Sequence, residues 1–122
     1  MTAADLLTFP MTLGGPGTGL PDMPCLYHIH INRELAYVGR TLFVGARFRN
    51  YRNKASHIAL DLRKPNGRYR RIHHAIAVAW ELDMEVKFLV FPVAPGTSIA
   101  ELQRMEDEEI RAQRPPYNGP EV

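Results

Sequence analysis

The sequence predicts a small α/β (α+β) domain with its elements in the order ββααβα. Three observations predict it. Two β-patterned segments lie close together near residues 25 to 41, two later segments repeat apolar residues at helical spacing, and a β-branched run precedes an amphipathic helix with its own cap.

Residues 1–24 come first and stand apart, because Pro10, Gly14, Gly15, Pro16, Gly17, Gly19, Pro21 and Pro24 interrupt any period. They read as an N-terminal arm, with Leu6, Leu7, Phe9 and Met11 able to dock on a groove or a partner. From Cys25 to Ile31, the residues Leu26, Ile29 and Ile31 mix with Tyr27, His28 and His30, as in a strand with one buried face. Asn32-Arg33-Glu34 reads as a short turn and Leu35 to Thr41 as the returning strand, which makes a β-hairpin.

A first helix is expected from Phe43 to about Tyr51, with Val44, Phe48 and Tyr51 in phase and Arg47 and Tyr51 four apart. A basic stretch follows, in which Lys64-Pro65-Asn66-Gly67 signals a turn. The second helix begins near Tyr69 or Arg70, and its stripe of Ile72, Ala75, Ile76, Ala79 and Trp80 is expected to pack on the hairpin. Glu85 to Val93 supplies a third strand, closed by Pro95-Gly96. Thr97 or Ser98 then caps a last helix that runs to Arg111 or beyond and stops before Pro115-Pro116.

Composition bounds the function. A chain of 122 residues, 45% hydrophobic and 23% charged, suits one soluble domain, and no apolar run approaches the length needed to cross a bilayer. The first ten residues lack the basic start of an export signal, so a cytoplasmic location is expected. Cys25 stands alone, which excludes an internal disulfide and a thiolate metal cluster. The net charge of +2 conceals an asymmetry. Nine basic residues lie between Arg47 and Arg71 against the single acid Asp61, whereas Glu101, Glu106, Asp107, Glu108 and Glu109 face only Arg104. The first segment suits a polyanion and the second a divalent cation. Candidate contacts to nucleic acid are Arg40, Arg49, Arg52, Lys54, His57, Arg70 and Arg71.

The last helix carries a telling placement. Ile99, Leu102, Ile110 and Gln113 share a face, and Glu106 falls inside that stripe, so its carboxylate points inward. Burying it ionised and unpaired costs several kcal/mol, so it needs a cation, either a divalent metal or an arginine such as Arg47. Tyr27 and Tyr37, ten residues apart, together with Gly39 and Arg47, offer two phenols, a free backbone and a permanent cation where a strand pair meets a helix. Such a set suits the handling of a phosphate.

These residues resemble the GIY-YIG nucleases. Cys25-Leu26-Tyr27 stands where the first signature triplet falls and Tyr37-Val38-Gly39 where the second does. Arg47, Glu106 and the closing Pro116-Tyr117-Asn118 follow in order, so the likeness spans about residues 25–118. The resemblance implies a three-stranded antiparallel sheet flanked by helices, and DNA phosphodiester hydrolysis with one Mg²⁺ or Mn²⁺ held by Glu106. It gives Arg47 the phosphoryl charge, and gives Tyr27 or Tyr37 the proton of the attacking water, with Tyr27 favoured as base, Tyr37 as its orienting partner and Asn118 as a buttress. A phenol can do this near neutral pH only if cations lower its pKa, and Arg40, Arg47 and the metal are the candidates.

Two positions depart from the pattern. Cys25 replaces the first glycine, and Tyr51 stands where many relatives carry histidine, although nucleotide-excision repair members of the family carry tyrosine there and a basic residue where Arg40 lies. Tyr51 is therefore a third candidate for proton handling. His57, His73 and His74 are candidate replacements, and His28 and His30 share a strand face that could line the same cleft or bind a metal. Two other readings stand beside the nuclease: a nucleic-acid-binding module without catalysis, and an interaction subunit whose arm docks on a larger partner. A homodimer would suit a site that cuts one strand at a time.

Overall fold

The structure, a computed structural model, describes residues 7–119. Seven elements follow one another: β1 (Thr8–Pro10), β2 (Cys25–Ile31), β3 (Glu34–Thr41), α1 (Val44–Ala59), α2 (Arg71–Glu81), β4 (Val86–Pro92) and α3 (Ile99–Gln113). The strands form one antiparallel sheet in the order β1-β4-β2-β3. The expected ββααβα core is present, and the correction is a fourth strand, taken from the arm. Thr8, Phe9 and Pro10 pair with Leu89, Phe88 and Lys87 of β4, and Pro10 is tolerated because β1 is an edge. Met11 is buried beyond it, and its carbonyl accepts the Trp80 indole N–H at 3.0 Å. Leu7 and Phe9 pack on the same core, while Leu6 lies outside the described residues.

The hairpin turn is tighter than the sequence suggests. Only Asn32 and Arg33 leave the ladder, both with positive φ (52° and 68°), and Glu34 already pairs with Ile31. Alternation along β2 and β4 turns Cys25, Tyr27, Ile29, Val86, Phe88 and Val90 toward α1 and α2, where they form the core with Val44, Phe48, Tyr51, Ala55, Ile72 and Ile76. Burial sends the Cys25 thiol up to about 11, as suits a core residue, and its extended strand conformation needs no glycine.

Helix α1 is two turns longer than expected. Tyr51 and Ala55 continue the buried stripe begun by Val44 and Phe48, and no glycine or proline intervenes before Pro65, so much of the basic band is helical. Helix α2 packs most closely on α1, and its Ile72, Ile76 and Ala79 join the core that the hairpin residues Tyr27, Ile29 and Ala36 share, as expected. An open groove of about 660 Å³, with Leu35, Ala36, Ala75, Val78 and Tyr117 in its walls, separates it from β3. Helix α3 covers the other face of β2 and β3. Ser98 caps it, accepting from the Glu101 N–H at 3.0 Å, and Arg114 in the left-handed conformation ends it. Leu102 is its buried anchor, whereas Ile99 is 62% exposed and Gln113 is also exposed, so the inward face is narrower than periodicity suggests.

The second turn position is the one where glycine relieves a left-handed backbone, so Arg33→Gly is expected to raise stability by about 0.5–1 kcal/mol. Thermal melting of the variant checks this, and an unchanged or lower midpoint would contradict it.

Candidate functional site

Gly39 determines where the site can lie. It pairs with Tyr27 across the β2–β3 ladder, and a Cβ placed on it would sit 2.3 Å from both Cζ and the hydroxyl oxygen of Tyr27. The missing side chain lets the Tyr27 ring lie flat across the edge strand, so a phenol rooted in the core reaches the flank of the sheet. There, a cleft of about 490 Å³ is lined by Tyr27, Tyr37 and Arg40 from the hairpin, with Glu106 from α3. Arg47, Asn50 and Lys54 of α1 form a second wall, and Arg68, Arg70 and His73 a third. Four of the residues singled out in the sequence, Tyr27, Tyr37, Arg47 and Glu106, thus meet in one place.

The phenols form a connected set. The Tyr27 and Tyr51 hydroxyls are 2.6 Å apart, Arg70 Nη1 donates to the Tyr37 hydroxyl at 3.0 Å, and Arg70 Nη2 donates to the Tyr51 hydroxyl at 3.2 Å. Protein cations do not lower the two buried phenols, contrary to expectation. Burial pushes Tyr27 well up, the neighbouring Tyr51 and Tyr37 add to this, and Arg47 opposes it without winning. Tyr51 is also raised, chiefly by burial, despite the pull of Tyr27 and Arg70. Tyr51 is fully buried and stands behind the cleft wall, bonded to Tyr27 and Arg70 and in ring contact with Tyr37 and His73. Arg70 is held firmly charged: burial works against it, but Tyr51 and Tyr37 outweigh burial.

Glu106 does point inward, with its side chain 19% exposed, and its partner is Arg40, not Arg47. Arg40 Nε lies 3.3 Å from its carboxylate, an ion pair in which Nε itself makes no well-formed hydrogen bond. Burial raises the Glu106 pKa, Arg40 pulls it down, and Asp107 adds to the rise. No group of three histidine, cysteine or acidic side chains suited to a metal occurs among the described residues. A lone, half-sunk carboxylate is a poor home for zinc or calcium, but it fits a hard ion such as Mg²⁺ that keeps most of its waters.

Other expected site residues lie elsewhere. Asn118 is used by the backbone of β3: its Oδ1 accepts from Val38 N and its Nδ2 donates to Val38 O, both at 2.8 Å. The side chain closes the sheet edge beside the cleft and does not line it. Arg49 and Arg52 fall on the side of α1 away from Arg47, Asn50 and Lys54. Arg52 donates to the Gly15 carbonyl and lies over the Phe48 ring, which ties it to the arm. His57 Nδ1 meets the Tyr69 hydroxyl at 3.2 Å, and Tyr69 accepts from Lys64 N at 2.9 Å, so His57 braces the loop before α2. Arg71 and His74 border the separate groove beside α2. His28 and His30 lie on the α3 face, where His28 approaches Glu109 at 3.5 Å, and so stay out of the cleft.

His73 does reach the cleft, but as a neutral group. Its Nδ1 accepts from Arg70 N at 2.9 Å, and burial, Arg70, Lys54 and His74 bring its pKa down to about 4. Asn50, Arg68 and the phenol-bridging role of Arg70 were not foreseen. The spacing 47-50-54 would have revealed Asn50 once α1 was extended, whereas a loop residue such as Arg68 carries no periodic signal.

These features make an α+β domain with a small antiparallel sheet and a polar cleft across its edge, the class expected from the GIY-YIG likeness. Among solved structures, the chain matches that of a mutant of bacteriophage T4 EndoII with a TM-score of 0.67 and 24% identity, over 85% of this chain and 80% of that one. At that identity the likeness bears on the fold alone. No protein-family model matches the sequence, and no curated protein matches it significantly.

Adding a methyl group at Gly39 drives it into the Tyr27 ring, so Gly39→Ala is expected to cost about 1–3 kcal/mol and to separate the Tyr27 and Tyr51 hydroxyls. Melting and the near-ultraviolet dichroism of the tyrosines report the two effects, and a variant as stable as wild type with unchanged spectra would contradict the packing. His73 gives a pH dependence whose sign follows from its lowered pKa: the unfolded chain binds the extra proton first. Stability is therefore complete above about pH 6.5 and falls by on the order of 2 kcal/mol as pH drops toward about 4. His73→Gln should flatten this slope in denaturant titrations at about pH 7 and about pH 4.5.

Proposed function

We propose that the chain is a metal-dependent endonuclease that hydrolyses phosphodiester bonds in DNA. The observation that carries this reading is the convergence of Tyr27, Tyr37, Arg47 and Glu106, drawn from two strands and two helices, in a cleft with five cationic side chains. A fold like that of EndoII, a name that denotes an endonuclease, supports it. A single Mg²⁺ or Mn²⁺ at Glu106 supplies Lewis-acid polarisation of a phosphoryl oxygen when bound. The residues of the chain do the rest. Arg47 and Arg40 offset charge on the non-bridging oxygens, Lys54 and Arg68 hold the flanking backbone, and the cleft phenols orient water through their hydroxyls. Tyr37 is the better placed of these phenols to exchange a proton, because Tyr27, though it borders the cleft, is almost wholly buried and pushed up by burial. Asn118 and Gly39 keep the edge strand in place for Tyr37 and Arg40.

A second reading is a nucleic-acid-binding module that keeps the fold without the chemistry. It is favoured by the Arg40–Glu106 pair, which occupies the carboxylate, and by the high pKa of the buried phenols. Plasmid nicking decides between the two. With Mg²⁺ or Mn²⁺ the wild type should nick supercoiled DNA, and Glu106→Gln should lose roughly 10²-fold or more while melting no lower. Full activity in that variant rules out the metal role of Glu106. Salt-sensitive DNA binding with no cleavage in any divalent ion selects the binding module.

A further inference from the structure

We infer that Arg70 acts on the phenols of the cleft and not on the substrate, as the positioning residue that fixes the Tyr37 hydroxyl and clamps Tyr51 against Tyr27. This deepens the endonuclease reading and rests on it. Five cations line the cleft, and Arg70 differs from the other four in what its donors already hold. Its Nη1 meets the Tyr37 hydroxyl at 3.0 Å and its Nη2 the Tyr51 hydroxyl at 3.2 Å, and its guanidinium carbon lies 5.4 Å and 5.9 Å from the two ring centres.

A guanidinium donates and never accepts, so both phenol oxygens offer it a lone pair. The Tyr37 proton is therefore turned away from Arg70. Tyr37 is the part-buried member of the set, whereas Tyr27 borders the cleft almost wholly buried and Tyr51 is fully buried, so the Tyr37 hydroxyl is the more open to a ligand in the cleft. The clamp extends one bond further, because Tyr51 meets Tyr27 at 2.6 Å. Arg70 itself is anchored where α2 starts: it is the residue before the first helical turn, and its backbone N–H is held by His73 Nδ1 at 2.9 Å. A planar fork with two fixed targets suits arginine, and a lysine reaches only one of them at a time.

A cation used in this way leaves a different signature from one that contacts phosphate. A phosphate contact contributes to affinity and adds about 0.9 to the slope of log binding constant against log salt. A positioning contact acts on the bound state and lowers the rate at saturation. The full-chain Arg70→Gln and Arg70→Lys proteins are compared with wild type in two assays: binding of a labelled DNA duplex over a salt series without divalent ion, and single-turnover cleavage at saturating protein with Mn²⁺. The expected result is wild-type affinity and salt slope, with a saturated rate lower by about 10²-fold in Arg70→Gln and partly recovered in Arg70→Lys. A salt slope smaller by about one unit at an unchanged saturated rate puts Arg70 on the phosphate and overturns the inference.

Should Arg70→Gln not fold, Arg70→Lys carries the rate assay alone: a lowered saturated rate upholds the clamp, and an unchanged one overturns it, since lysine keeps the charge but not the two-pronged reach. If the wild type cuts nothing, the endonuclease reading falls, and the clamp is judged by the tyrosine ring resonances. Shifted Tyr37 and Tyr51 signals in the variants uphold it, and unshifted signals overturn it.

Discussion

The contact on which the rest of the structure depends is the one between Gly39 and the ring of Tyr27. A strand at the edge of a sheet ordinarily walls off the core from the flank with its own side chains. Here the wall has a gap one residue wide, and an aromatic ring from the neighbouring strand fills it, with Phe88 stacked behind at 4.8 Å. Packing and site are consequently the same object. The ring is held by core contacts on one side and carries a hydroxyl to the polar cleft on the other, as an amphipathic tyrosine is suited to do.

The electrostatics of the cleft follow from this semi-burial. Five cations face one carboxylate among the described residues, which leaves the cleft strongly positive toward an anion before any ligand arrives. The same burial that gives Glu106 its inward position makes its charge costly, and Arg40 offsets only part of that cost. The buried phenols feel the burial more than they feel the cations. Arg70 is the exception in geometry, since its hydrogen bonds reach phenol oxygens directly where Arg47 acts at a distance. Position relative to the low-dielectric core, more than the number of charges nearby, sets which groups hold their protons.

How much of this could be read from the sequence depends on whether a feature is periodic. The hairpin, the capped last helix and the inward Glu106 were legible because each repeats or is punctuated within a few residues. The three residues of β1 were not, since a short edge strand among prolines and glycines has no period to detect and is created by its partner β4. The basic band was legible as charge but not as two faces, because the split between Arg47 and Lys54 on one side and Arg49 and Arg52 on the other needs the full length of α1. Asn118 was placed near the site by its motif. Its two hydrogen bonds to the Val38 backbone join residues eighty apart in the chain, and local pattern carries no trace of such a pairing.

That closure of the β3 edge also sets an order of events during synthesis. A chain made from its N-terminus has both tyrosine strands, α1 and most of the core well before Glu106 exists, and before Tyr117 and Asn118 can bind Ala36 and Val38. Until then the outer rim of β3 is an open template for pairing with other chains, and the cleft has its cations but no carboxylate. The segment from Glu106 to Asn118 brings the carboxylate to the cleft and covers the exposed strand together, so the cleft gains its acid at the same stage as β3 loses its open edge.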